Sequence, residues 1–264
     1  SPCFRHGVAG WPLLDGPFVA ESDTNPSASA GTLALEPVER LQGGAERAAV
    51  IFVYLYMIAL YVRPQDWVPM FLGLPTAYII IPLGMAMGAA NYLRDTKQYQ
   101  LPQNRLLVFY LLIIFVSTWL ATDGSTALEQ FETFLKRIVV FFMIAWTLTS
   151  AERLSKAIWL VLLLSLFLAY QAYLQGTQGA SWGGMTPYPG YEETRVRWYG
   201  DWDGPNVFGI LFVIAAAITL EFVFGPYSLL VRVAGGALLL SYLGGIYLTN
   251  SRGAVLALAC AILF

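Results

Sequence analysis

Charge is scarce in this 264-residue chain: Asp, Glu, Lys and Arg make up 12% of it, hydrophobic residues 57%, and the mean hydropathy is +0.60. Soluble domains carry charge on about a quarter of their residues, so the scarcity excludes an ordinary soluble fold. The net charge of −2 gives no sign of a nucleic-acid partner, and none is expected. Cysteine is nearly absent as well. Cys3 lies in a tail and Cys260 inside an apolar run, which excludes a disulfide framework and a cysteine metal cluster. The single histidine, His6, sits in the same tail. No internal repeat is visible, and the start lacks the basic residues and unbroken apolar region of a signal peptide.

What is present is a series of long apolar runs, near 48–62, 68–93, 106–121, 134–149, 156–174, 206–224, 227–248 and 253–264. Their alternation never settles into period two, so helices fit and barrel strands do not. The expected fold is an all-α membrane protein, a polytopic transmembrane helix bundle of about seven complete spans plus one truncated span. Pro75 and Pro82 interrupt the second run and would kink it. The last run is about half of the ~20 residues that a span requires. With Ser1 first and no methionine before Met57, the sequence reads as a fragment cut inside a helix. Residues 1–47, rich in Pro, Gly, Ser and Ala without an apolar face, read as disordered or non-native. Residues 48–264 form the transmembrane domain, with a long outer loop at 175–205.

Loop charges set an expected orientation. Arg94, Lys97 and Arg105 mark one loop and Arg153 and Lys156 another, while the stretch "ATDGSTALEQFE" between them holds Asp123, Glu129 and Glu132 and no base. The positive-inside rule puts the first two in the cytoplasm. Counting spans then places the 175–205 loop and "TNSRG" outside, together with Arg63, Lys136, Arg137, Arg195, Arg197 and Arg252, against the general bias. Arg232 returns to the inside.

Two of the outer segments start helices. In "WDGPNVFG", Asp203 or Gly204 can cap and Pro205 suits the first helical position. In "TNSRGAVLAL", Thr249, Asn250 or Ser251 can cap, and Arg252 stands in the first turn, where a cation opposes the helix dipole. Paired helix starts with arginines form an anion site; the other reading is that Arg252 snorkels to lipid headgroups. The loop's Trp182, Tyr188, Tyr191, Trp198, Tyr199 and Trp202 suit either sugar faces or a membrane-interface belt. Its acids Glu192, Glu193, Asp201 and Asp203 could ligate a metal or act as a base, and pairing with arginines or capping a helix is the preferred reading. Asn206 either orients a phosphate or sugar or pairs with the loop backbone.

The outer loop ending in "GDWDGPNVFG", followed two spans later by "LTNSRGAVLALA", resembles the O-antigen ligase and O-antigen polymerase superfamily of polytopic glycosyltransferases. "YVRPQDW" is similar to members linked to exopolysaccharide and surface-glycan clusters. The resemblance covers roughly residues 48–264. It implies a multi-pass protein of the bacterial inner membrane that transfers a glycan from undecaprenyl diphosphate, with inversion, on the periplasmic face. The acceptor would be a hydroxyl of a glycan, of lipid A core or of a protein. Arg252 would be catalytic, and Arg195, Arg197, Asn206, Ser251, Trp198 and Trp202 would bind diphosphate and glycan. Arginines would stabilise the leaving diphosphate, so neither metal nor cofactor is expected. The family's further periplasmic loop, with its histidine and another arginine, would lie beyond Phe264, leaving the general base open: residues 1–264 alone are expected to transfer no glycan, and turnover would put the base within them, with Asp201 or Asp203 the first candidate. The competing reading is a secondary transporter or lipid-linked sugar flippase. Inverted repeats and midplane charges mark that class, whereas most charges here sit near span ends.

Overall fold

The computed structural model describes residues 36–92, 102–187 and 195–263. Its contacts divide the chain into Ser1–Leu41 and Gln42–Phe264, and the second unit holds every packing interaction described below. Among the described residues there is no strand. The α-helices are α1 (Glu36–Tyr61), α2 (Pro64–Trp67), α3 (Thr76–Tyr92), α4 (Pro102–Trp119), α5 (Gly124–Thr147), α6 (Ala151–Gln178), α7 (Pro205–Phe224), α8 (Leu229–Thr249) and α9 (Arg252–Leu263). Of these, α6, α7 and α8 are long and apolar enough to cross a membrane.

Helix ends follow local chemistry. The Asp123 carboxylate accepts from the backbone N–H groups of Ser125 and Thr126 at 3.2 and 3.3 Å, starting α5 at Gly124. The acidic stretch expected to be a loop is therefore the cap and first turns of a helix, with Glu129 and Glu132 on it. Ser150 caps α6 through Arg153 N–H at 3.3 Å, and Gly179, at φ 79°, closes it with its N–H on Gln175 O. That left-handed cap is open to glycine without steric cost. Residue 82 lies inside α3 although it is proline, and α3 starts directly after Pro75. Residues 36–47, expected to lie outside the helical domain, carry the first turns of α1. The rest of that expectation, with Cys3 and His6, falls outside the described residues, as do Arg94, Lys97, Tyr188, Tyr191, Glu192 and Glu193.

Side-chain contacts fix the directions of the helices. Tyr110 packs edge-on against Phe134 and Phe115 lies tilted against Phe131, so α4 runs antiparallel to α5. Gly84 lies against Met143 and Gly88 against Thr147, so α3 runs with α5. The Tyr242 hydroxyl donates to Leu162 O at 2.7 Å and Gly176 meets Leu248, so α6 and α8 run together. Gly235 meets Phe222 and Gly245 meets Phe212, which sets α7 against α8. Tyr54 donates to Arg153 O near the start of α6, while Tyr61 O at the end of α1 accepts from Trp198 beyond the end of α6. As a result α1, α4, α6 and α8 point one way and α3, α5, α7 and α9 the other. The ends of α1, α6 and α8 meet the starts of α7 and α9 at one end of the unit. The core behind them is built from Leu162, Leu168, Ala172, Phe208, Phe212, Ala216, Tyr242 and Ile246, all buried.

Candidate anion-binding end of the helical unit

The two helix starts picked out by their sequences come together. Gly209, one turn into α7, faces α9 so closely that a Cβ there would meet the Ala254 methyl at 2.8 Å, Thr249 Oγ1 at 3.0 Å and Ser251 Cβ at 3.3 Å. That approach brings Ser251 to Asn206. The Ser251 hydroxyl donates to Asn206 Oδ1 at 3.0 Å and accepts from Ala254 N–H at 3.2 Å, acting at once as cap of α9 and strut to α7. Arg195 Nη2 donates to the same Oδ1 at 2.9 Å, and Arg195 Nε to Thr249 O at 3.2 Å. Asn250, at φ 47°, turns the chain from α8 into α9 with its N–H on Tyr247 O. Asn tolerates the left-handed region better than most residues.

The loop between α6 and α7 is pinned from beneath. Gln175, buried near the end of α6, accepts from Arg197 N–H at 3.1 Å and donates to Arg197 O at 2.6 Å. Val196 N–H reaches Leu248 O at 3.4 Å. Trp198 is completely buried, donates its indole N–H to Tyr61 O at 2.9 Å, and packs edge-on against Trp67 and Phe167. Trp202 donates to Leu60 O at 3.2 Å and lies tilted against Tyr61. Both tryptophans fasten the loop to the end of α1; with no exposed face, Trp198 offers a sugar no platform, so we drop it from the binding face. Arg197 is also engaged elsewhere, with Asp203 Oδ1 at 3.0 Å and Thr186 O at 3.2 Å. Asp203 therefore serves an arginine, and the cap position of α7 falls to Gly204, which supplies no side-chain bond.

Arg252 stands exposed in the first turn of α9, and among the described residues it has neither ion pair nor hydrogen bond. Asp201 is likewise exposed and has neither ion pair nor hydrogen bond among them. Arg63, held by Asp66, lies over Gly200, where a Cβ would overlap its guanidinium. Burial first, and then the Asp66 carboxylate, raises the Tyr199 phenol above its ordinary pKa, so it stays neutral. Among the described residues no His, Cys, Asp and Glu side chains gather as a metal-ligating group. The end of the unit thus presents two cations, Arg195 and Arg252, beside two helix starts whose first-turn N–H groups point outward. That arrangement can hold a doubly charged anion. No family model, curated protein or solved structure matches the chain.

No motif singles out Gln175 or Gly209. Gln175 carries a usable signal, a polar side chain in an otherwise apolar run, where an unpaired amide would be costly. Gly209 carries none, because a glycine in a helix has many uses.

Proposed function

We propose that the chain binds a polyprenyl diphosphate-linked glycan at the Arg195–Asn206–Ser251–Arg252 end and transfers the glycan to an acceptor hydroxyl. The family resemblance of the two motifs supplies the reaction class. One observation carries the reading to these residues: Asn206 and Ser251, 45 positions apart, share a hydrogen bond with Arg195 on one oxygen, next to an uncommitted Arg252. On this reading the chain is multi-pass in a bacterial inner membrane, α1 and α3 to α8 cross it, the 12-residue α9 enters it, and the binding end faces the periplasm. The donor is undecaprenyl diphosphate, and the acceptor is a glycan, lipid A core or protein hydroxyl.

The chemistry assigns each group a part. Asp201 takes the proton of the acceptor hydroxyl, whose oxygen forms a bond to the anomeric carbon from the face opposite the leaving group. The bond from that carbon to the phosphate oxygen breaks, and the diphosphate leaves with its electron pair. Arg252 and Arg195 stabilise that growing charge, which is the part of catalysis preorganised donors serve best. Asn206 and Ser251 act through position, keeping Arg195 on the anion.

The test uses the chain reconstituted in vesicles with labelled undecaprenyl diphosphate. Arg252→Ala is expected to weaken binding at least ten-fold, and Arg252→Lys to restore part of it, since an ammonium lacks the guanidinium's planar fork. Arg232→Ala is the control: it donates to Gly225 O at the opposite end and is expected to bind as the parent does. Unaltered binding by Arg252→Ala, or equal loss in Arg232→Ala, would remove the reading.

A further inference from the structure

Burial alternates along residues 195–199: Val196 and Trp198 are buried, while Arg195, Arg197 and Tyr199 are not. Successive side chains of an extended chain take opposite faces, so a slip of one residue would turn both arginines inward and the valine and tryptophan outward. A slip of two would keep the alternation and carry Arg197 toward the place of Arg195. Register therefore decides which arginine reaches Asn206 Oδ1 and Thr249 O.

A side chain of α6 holds that register. Gln175 is 1% exposed, and its amide bonds both backbone groups of one residue. Its Oε1 accepts from Arg197 N–H at 3.1 Å and its Nε2 donates to Arg197 O at 2.6 Å. An opposite residue on a neighbouring strand makes the same exchange in a hydrogen-bonded pair. The flanking N–H groups go elsewhere, Val196 to Leu248 O at 3.4 Å and Trp198 to Trp202 O at 3.0 Å. After a one-residue slip the amide would face neither group of its new neighbour and would stay buried without partners, which is costly. Trp198, by its bulk and its bond to Tyr61 O, excludes the slip of two.

Gln171, one turn earlier on α6 and fully buried, supplies the contrast. It accepts from Trp182 N–H at 3.1 Å, and so holds the other foot of the outer loop. Gln175 reaches that foot only through Ser181 Oγ, at 3.3 Å. Arg195 stands on the foot that Gln175 holds.

We infer that Gln175 is a positioning residue for the anion site: without touching the anion, it sets the register of residues 195–199 and so keeps Arg195 on Asn206 and Thr249. This role rests on the reading of the Arg195–Arg252 end as a diphosphate site, and it makes the affinity of that site depend on a buried amide of α6.

Binding of labelled undecaprenyl diphosphate to the chain reconstituted in vesicles tests it. Gln175→Met keeps nearly the same length and offers neither bond; it is expected to weaken binding about ten-fold, the scale of a lost hydrogen bond to a charged group. Gln171→Met removes the matching buried amide at the other foot. It is expected to lower the unfolding midpoint as well, but to leave binding within about two-fold, the scatter between independent sites. Arg195→Gln, with and without Gln175→Met, separates positioning from general support: a residue that acts through Arg195 adds no more than about two-fold to the loss already caused by Arg195→Gln. Losses that multiply, or an equal loss in Gln171→Met, would make Gln175 a general prop and overturn its role. Parent-like binding by Gln175→Met beside weakened binding by Arg195→Gln would overturn the role and leave the diphosphate site standing. Parent-like binding by Arg195→Gln would remove Arg195 from the site, and the role of Gln175 with it. Hydrogen exchange of the Arg197 amide needs no ligand and is expected to quicken about ten-fold or more in Gln175→Met; unchanged protection overturns the role. Should Gln175→Met fail to purify, Gln175→Asn, whose amide is one methylene short of Arg197, carries the same expectations.

Discussion

Gly209 on α7 and Ala254 on α9 lie so close that one added carbon at position 209 would meet the Ala254 methyl at 2.8 Å. This contact sets the spacing of the two helix starts, and through it the bond from Ser251 to Asn206. Gly209→Val is therefore expected to destabilise the chain in detergent by about 1–3 kcal/mol, the usual cost of overpacking. It should also part Ser251 from Asn206. At Gly204 a Cβ would meet only Val207 Cγ2, at 3.7 Å, and φ is −93°, so Gly204→Ala serves as the tolerant neighbour. Thermal unfolding of both variants checks this; a Gly209→Val midpoint equal to that of Gly204→Ala removes the close-approach argument.

Asn206 accepts from Arg195 and Ser251 through one oxygen. Asn206→Asp keeps an acceptor in place for both donors and adds a negative charge at a helix start, where the dipole favours it. The unfolding midpoint is expected to hold or rise, while undecaprenyl diphosphate binding falls at least ten-fold because the carboxylate neutralises Arg195. A variant that binds as the parent does would show that Arg195 takes no part in holding the anion.

Trp198 is wholly buried and bonded to Tyr61 O. Trp198→Ala should cost about 3–5 kcal/mol, as other large aromatic truncations in cores do, and should free the 195–204 segment from the end of α1. Hydrogen exchange of the Val196 and Trp198 amides is the measurement. Protection equal to the parent's would place the anchor elsewhere, with Gln175 the first residue to change.

The Asp123 carboxyl is held well below its ordinary value of 3.8, at about 2, first by the Thr126 hydroxyl, then by the Ser125 hydroxyl and the Thr126 N–H. A depressed folded-state pKa means a contribution present above the unfolded value and lost as pH falls through the folded one. Protection of the Thr126 and Ala127 amides at the start of α5 should therefore decline between about pH 4 and pH 2. Asn caps about as well as Asp and does not titrate there, so Asp123→Asn should flatten the profile. An identical decline in Asp123→Asn would assign the acid sensitivity to other groups.

Much of the local structure could be read from the residues themselves. Apolar runs marked where α1 and α3 to α9 lie, Pro205 marked the start of α7, and Ser251 was among the candidates for the cap of α9. These features depend on neighbours a few positions away: a proline lacking an N–H, or a hydroxyl within reach of the next turn. The same locality governs 121–132, whose acids have the composition of a loop, whereas the Asp123 cap starts a helix that carries Glu129 and Glu132 in its first turns.

The tertiary structure decided what locality leaves open. Arg195 and Arg197 are equivalent in the sequence, yet one reaches Asn206 and the other turns to Asp203 and Thr186, because Gln175 fixes the backbone between them. Trp198 and Trp202 were equal candidates for a sugar surface until the end of α1 took both indole N–H groups. Lys136 and Arg137 are adjacent, but a helix turns about 100° per residue, so one faces α3 and an acid while the other lines an open groove toward α4 that holds no acid. Each outcome rests on which helices touch and how closely. That is a matter of side-chain volume and packing across the whole unit, which no short stretch of sequence encodes.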